Sequence, residues 1–216
     1  HTIDLKNFWV RRIRRLIPAV LSMAVVIIFV SAVVNRVVFT KGCKDFVASV
    51  LGFNNWWQIF NKVSYFEAAG APSPFTHCWS LAIETQFYLI YPLLLLLLAR
   101  VVRGRKKRGK VFAIVSALLA VVSMILMAVL YNPNGDPSRV YYGTDTRAFA
   151  LLIGALAAIQ LEYRIIKVKL PRKIWALIGS ISLIVLTCMM VFISSYSSFL
   201  YYGGQAIVSL LTAFVV

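Results

Sequence analysis

Three stretches of this chain, residues 16–35, 111–135 and 174–216, contain no charged side chain, and a fourth, residues 78–99, contains a single one, Glu84. About twenty consecutive apolar residues cross the hydrocarbon core of a bilayer as an α-helix, in which every backbone N–H and C=O is satisfied internally. These runs dictate membrane-spanning helices. Composition agrees, with 61% of residues hydrophobic and 14% charged and a mean hydropathy of +0.82. A soluble domain carries about a quarter charged residues, so no polar shell can be drawn around this chain.

The few charges are one-sided. The 216 residues carry 23 Lys and Arg against 7 Asp and Glu, a net charge of +16. Such an excess points to nucleic acid only where the cations gather on a water-facing surface. Here 17 of the 23 fall in three clusters, residues 6–15, 100–110 and 164–173, and each abuts an apolar run. Lys and Arg in short loops beside membrane spans mark the cytoplasmic side. The charge therefore records topology, the partner is the lipid bilayer, and no nucleic acid is expected.

With residues 11–15 inside, the first span runs outward over 16–35, with Pro18 in its first turn, where a missing N–H does little harm. The span over 79–99 ends at the basic loop 100–110 and so runs inward. Residues 45–60, between these two spans, are then not a full crossing. This segment holds Asn54, Asn55, Trp56, Trp57 and Gln58, and is expected to be interfacial or re-entrant, since Trp favours the headgroup level.

Further spans are expected over 111–131, 146–161 and 174–193, with an incomplete one over 204–216. Asn-Pro, Asn-Gly and Asp-Pro steps make residues 132–145 a helix-breaking external loop. The expected fold is an all-α, polytopic transmembrane helix bundle in the cell membrane, with one re-entrant or interfacial segment. On this topology the inner segments hold 17 basic residues against Asp4 and Glu162, and the outer ones hold six against Asp45, Glu67, Asp136 and Asp145. Both ends of the chain read as internal to a longer protein. Cys43 and Cys78 fall near the outer face, as one disulfide or as two unpaired small residues, and Cys188 falls inside a span.

Polar groups are sparse enough to weigh singly. His77, Ser80, Glu84, Tyr88 and Tyr91 recur at helical spacing and read as a polar stripe facing protein. An ionisable group within a span is costly, so Glu84 is a site candidate, against the alternative of pairing with an arginine to hold helices together. His77 is either a solvated interfacial histidine or a general base near neutral pH.

At the inner end, Arg11, Arg12, Arg14 and Arg15 either contact lipid headgroups or, two of them three residues apart, clamp a phosphate or carboxylate. The cluster at 100–110 reads as a plain loop. At the outer end Thr144 or Asp145 either caps a helix, or Asp145 and Arg147 join Tyr141 and Tyr142 as groups suited to a sugar or a carbonyl. No zinc or phosphate-loop spacing occurs, so no metal site is expected.

Three segments, FWVRRIRRLIP at 8–18, SYFEAAGAPSPFTHCWSLAIETQFYLIYPLLL at 64–95 and RVYYGTDTRAFALLIGALAA at 139–158, resemble in order and spacing the integral-membrane acyltransferases of the acyltransferase-3 type. The likeness is greatest to the membrane part of peptidoglycan O-acetyltransferases. It implies a bacterial multi-pass enzyme, with no bound cofactor, that takes an acyl group from cytoplasmic acyl-CoA, usually acetyl-CoA. The acyl group passes to a hydroxyl of a cell-wall or surface polysaccharide outside.

The resemblance further implies donor binding by Arg11, Arg12, Arg14 and Arg15 and catalytic roles for Glu84 and His77. It places Trp79, Ser80, Gln86, Tyr88, Tyr142, Asp145 and Arg147 on the acyl path or at the acceptor. In such proteins an extracytoplasmic esterase-like domain follows the membrane region. Thr85 stands where the family often has a second acidic residue, which speaks against a paired-carboxylate scheme. The family's catalytic histidine lies upstream of residue 1, so the chain alone is expected to be inactive, and acyl transfer by the isolated product would refute this. The competing class is a transporter of a lipid-linked or acyl-bearing substrate, with Glu84 as its proton or substrate site. Such a transporter is expected to carry paired broken helices in inverted halves, which this sequence lacks.

Overall fold

The computed structural model describes residues 4–66, 73–166 and 170–215. Glu67, Lys167, Lys169 and Val216 lie outside the described residues. Among those described there is no strand. The helices are α1 (Leu5–Val34), α2 (Arg36–Val50), α3 (Asn54–Phe60), α4 (Cys78–Val101), α5 (Arg105–Leu130), α6 (Ser138–Tyr142), α7 (Thr144–Tyr163), α8 (Arg172–Phe192) and, after a π-helical turn Leu200–Gly204, α9 (Gln205–Val215). Of these, α1, α4, α5, α7 and α8 are long and apolar enough to cross a membrane, whereas Leu200–Val215 is a shorter apolar run. The chain is a polytopic helical membrane protein.

Helix ends and membrane boundaries do not coincide. The carboxylate of Asp4 accepts the Asn7 backbone N–H at 3.0 Å and so caps α1, about three helical turns before the apolar run begins at Leu16. Pro18 consequently lies deep inside α1 and not in its first turn, where it removes one intrahelical hydrogen bond. Asn35 is extended, and its side-chain oxygen accepts from the N–H groups of Val37 (2.9 Å) and Val38 (3.2 Å). One residue thus closes α1 and opens α2.

The segment expected to be interfacial or re-entrant forms the end of α2, a turn and α3. At 15 and 7 residues, neither helix is long enough to cross. Their turn requires Gly52, whose φ is +73° and whose added Cβ would lie 2.9 Å from Thr85 Cγ2. The basic loop is shorter than expected, only residues 102–104 separating α4 from α5. The external loop is likewise not wholly irregular. Asp136 accepts from the Ser138 N–H and hydroxyl at 3.0 and 2.6 Å and starts the short α6.

The chain divides into two compact units, one running to Leu96 and including Tyr141–Thr144, the other made of Leu97–Val140 and the residues from Asp145 onward. In the first, α1 packs along α2 over a core of Ala24, Phe75 and Cys78, with Ile27, Ile28 and Phe46 around it. In the second, α8 packs along α9 and Tyr131 stacks on Tyr201 with ring centroids 4.4 Å apart. There α5 and α7 approach so closely that a Cβ on Gly109 would lie 2.5 Å from Tyr163 Cγ. All three cysteines are free, Cys43 exposed and Cys78 buried, so the unpaired alternative holds in place of the disulfide.

Candidate functional site

The buried face of α4 carries Cys78, Trp79, Ala82 and Ile83. His77 and Ser80 are exposed and Glu84, Tyr88 and Tyr91 half-buried, so the expected stripe does not face the protein as a unit. The cause is helical phase. The large Trp79 ring takes the inward position and turns its neighbours outward by about 100° per residue. Ser80 bonds back to the His77 carbonyl at 3.3 Å. The Tyr88 hydroxyl lies 3.5 Å from Glu84 Oε2, as a weak donor. Among the described residues no arginine pairs with Glu84.

Around the start of α4 the first unit gathers an aromatic cluster. Tyr65 stacks on Tyr141 with centroids 4.6 Å apart and meets His77, Trp79 and Tyr142 edge-on at 5.9, 6.1 and 6.0 Å. Trp79 lies 4.7 Å from Tyr141. Trp79 and Tyr142 are buried, Tyr65 and Tyr141 half-buried, and the imidazole of His77 stands exposed at the rim. Such a surface offers flat apolar faces edged by hydroxyl and imidazole groups, suited to an amphipathic ring.

Beneath it a polar lock fixes three segments. Gln86 donates to the Gly52 carbonyl (3.0 Å) and Asn55 Oδ1 (2.9 Å), and accepts from the Thr144 hydroxyl (2.6 Å) and Trp56 Nε1 (3.2 Å). Asn55, fully buried, donates to the Tyr142 carbonyl (3.0 Å) and the Thr144 hydroxyl (2.9 Å). The amide of Gln86 thereby uses both donors and both acceptor positions, the condition under which a buried polar group is tolerated. The lock ties α3 and α4 to the Tyr142–Thr144 backbone, and so holds Tyr141 and Tyr142 against Trp79. Nearby, the buried Asp45 accepts from Trp57 Nε1 at 2.7 Å and from Gln58 Nε2 at 3.2 Å.

Farther along α4 a groove of about 330 Å³ opens between it and α1. It runs from Trp9 and Arg12 past Leu16 and Ile17 to Leu21, walled by Leu81, Thr85 and Tyr88, with Ser49 of α2 also lining it. Twelve residues of helix make this about 18 Å long. The guanidinium of Arg12 lies over the rings of Tyr88 (4.8 Å) and Phe8 (5.4 Å), and Trp9 Nε1 donates to the Tyr88 carbonyl at 3.0 Å. Arg12 is thus positioned by the fold, whereas Arg11, Arg14 and Arg15 are exposed. Asp4, outside the span, is held below the usual aspartate pKa chiefly by the Asn7 backbone N–H, with the Asn7 side chain adding to it.

The remaining candidates sit in the second unit. Asp145 forms a two-pronged ion pair with Arg139, at 3.1 and 2.8 Å, and neither caps α7 nor stands open to a ligand. Arg147 bonds the side chain of Gln205. Sequence reasoning missed Trp9, Asn55, Tyr65 and Thr144 as parts of the site. Only Asn55 carried a signal, as one of three amides in an otherwise apolar segment.

The acyltransferase domain of the acyltransferase-3 family matches residues 1–216. The chain is 43% identical over 213 residues to the peptidoglycan O-acetyltransferase OatA of Listeria monocytogenes, covering 97% of this chain and 34% of that protein. It is 40% identical over 218 residues to YrhL of Bacillus subtilis, to which the same activity is provisionally attributed, covering 99% of this chain and 34% of that protein. The chain spans about a third of the length of these curated relatives. No solved structure matches it.

Proposed function

This chain belongs to the acyltransferase-3 family, and from that membership we propose that it forms part of a peptidoglycan O-acetyltransferase. In this reading an acetyl group is taken from acetyl-CoA at the cytoplasmic side and delivered to a sugar hydroxyl of the cell wall. The names of its relatives support the acceptor class. The observation that carries the reading is the layout of α4, which has the Arg12 groove at Tyr88 and the aromatic cluster at Trp79. Nine residues separate these two positions, about 13 Å along the helix.

At the inner end Arg12 meets a phosphate of the donor, with Arg11, Arg14 and Arg15 adding attraction from the exposed face. The groove takes the slender arm that carries the donor's thioester, with the arm's methylenes against its apolar wall. At the outer end the rings of Tyr65 and Tyr141, backed by the buried Trp79, take the apolar face of the sugar, and His77 serves as the base for its hydroxyl. Glu84 stands between, where it moves a proton or orients the acyl group. Ser80, bonded to the His77 carbonyl, plays a supporting part in this scheme, whereas Asp145 and Arg147, engaged with Arg139 and Gln205, stand outside it. We retain the proposals that the 216 residues alone do not complete a turnover and that an esterase-like domain outside completes the protein.

The test is donor binding by the whole protein in nanodiscs. A lost charged hydrogen bond is worth about 1.5–3 kcal/mol, so Arg12→Ala is expected to weaken acetyl-CoA binding roughly 10- to 150-fold. Arg14→Ala, removing an exposed side chain, has a smaller effect. Unchanged affinity in Arg12→Ala would remove the groove from the scheme.

A further inference from the structure

The second unit contains a cleft that the acyl-transfer scheme does not use. It measures about 510 Å³ and is lined by Arg105 and Lys106 at the start of α5 and by Leu161, Glu162, Tyr163 and Arg164 at the end of α7. We propose that this cleft is a binding site for the phosphate headgroup of an anionic phospholipid of the cytoplasmic leaflet.

Position is the first argument. The uncharged run of α5 begins at Val111, six residues or about 9 Å beyond Arg105. The cleft therefore lies at headgroup depth, on the side that the basic clusters mark as cytoplasmic. Basic pockets between membrane helices at this level suit anionic headgroups.

Construction is the second. The wall is fixed, because Tyr163 is held by the bare backbone of Gly109 and by an edge-on contact with Phe112 at 6.0 Å. The chain beyond α7 is pinned as well, with Gln160 donating to and accepting from the backbone of Ile166 at 2.5 and 3.1 Å. This holds Arg164 in a left-handed turn, φ +48°.

Charge is the third. Arg105 pairs with Glu162 at 2.8 Å, but both side chains are more than 60% exposed, and an exposed pair of this kind contributes little. Lys106 and Arg164 have no acidic partner among the described residues. Three cations facing one carboxylate leave an unbalanced positive site. A phosphodiester answers it with oxygens for the guanidinium fork, while Leu161 and the Tyr163 ring face the first methylenes of the acyl chains. A topogenic charge cluster alone would need neither a cleft nor a fixed aromatic wall.

The protein is purified in nanodiscs of phosphatidylcholine doped with phosphatidylglycerol, and retained lipid is counted by native mass spectrometry. Each basic residue near an anionic surface is worth about fivefold in binding. Replacing Arg105, Lys106 and Arg164 together by Gln is therefore expected to lower phosphatidylglycerol retention roughly a hundredfold. Arg172→Gln with Lys173→Gln removes basic charge outside the cleft and is expected to leave retention nearly intact. Glu162→Gln frees Arg105 and is expected to raise it, a gain that misfolding would not produce. Equal loss in the Arg172 and Lys173 control, no preference for phosphatidylglycerol over phosphatidylcholine, or displacement by millimolar inorganic phosphate or coenzyme A would overturn the proposal.

Discussion

Replacing Gln86 by Leu removes four hydrogen bonds at once while keeping the side chain nearly the same size. Its partners Asn55 and Gly52 are both buried, so Asn55 Oδ1 and the Gly52 carbonyl lose the donors that hold them. A buried acceptor stripped of its donor costs about 1–3 kcal/mol, which gives roughly 2–6 kcal/mol for the pair. Side-chain bonds in membrane bundles average about 0.6 kcal/mol, and four of them total about 2.4 kcal/mol, near the lower bound. The expected loss is therefore about 2–4 kcal/mol.

Denaturant unfolding in micelles, followed by tryptophan fluorescence, reads the right part of the molecule. Trp9, Trp56, Trp57 and Trp79 all belong to the first unit, and Trp175 alone to the second. Because Gln86 and Asn55 share one bond, the double replacement Gln86→Leu with Asn55→Leu is expected to cost less than the sum of the singles by about 0.5–3 kcal/mol. A single-variant loss under about 0.5 kcal/mol, or a strictly additive cycle, would refute the idea that this lock holds the aromatic cluster in place.

Other perturbations test separate parts of the account. Gly109→Val forces a side chain into the Tyr163 ring and is expected to cost about 1–3 kcal/mol, with Tyr163→Ala in the same chain restoring part of it on thermal unfolding. Asp4 has its pKa depressed in the folded state, so its capping is complete above the ordinary aspartate value of about 3.8 and is lost as the pH falls through the lower folded value. The Asn7 amide resonance is expected to report fraying of the first turn of α1 only in that acid range, and Asp4→Asn to abolish the pH dependence. Gly52→Ala combines left-handed backbone with the Thr85 contact and is expected to lower stability by at least the roughly 1–2 kcal/mol of the backbone term alone.

Four spans were legible because about twenty apolar residues with at most one charge admit one solution in lipid, and α1, α4, α5 and α8 fall on the runs that marked them. The fifth, α7, with only residues 148–161 free of charge, was read from its place between the external loop and the third basic cluster. The exact starts of the helices were not legible. Hydropathy records where side chains leave water, whereas Asp4, eleven residues before the end of the basic run at Arg15, sets where α1 begins. The phase of α4 also escaped. Spacing placed His77, Ser80, Glu84 and Tyr88 on a common line but could not tell which way the line faces, and the bulk of Trp79 decides that.

The amides at 54, 55 and 58 looked interfacial because polar groups usually seek water. Asn55 is instead satisfied by Gln86 and Thr144, 31 and 89 residues away, Asn54 by the Phe75 carbonyl 21 residues away and Gln58 by Asp45, and no local pattern reports partners that distant. Asp145 is a different case. Arg139, six residues earlier, was visible in the sequence, but only the turn through α6 brings the two together.

The central claim is that Glu84, midway along α4 between the Arg12 groove and the aromatic cluster, takes part in acyl transfer. The direct measurement is base-labile acetate on purified peptidoglycan from cells producing the whole protein or its Glu84→Gln form, at equal membrane levels. The account predicts wild-type ester and none above background with Glu84→Gln. Equal acetylation by the two proteins would contradict it.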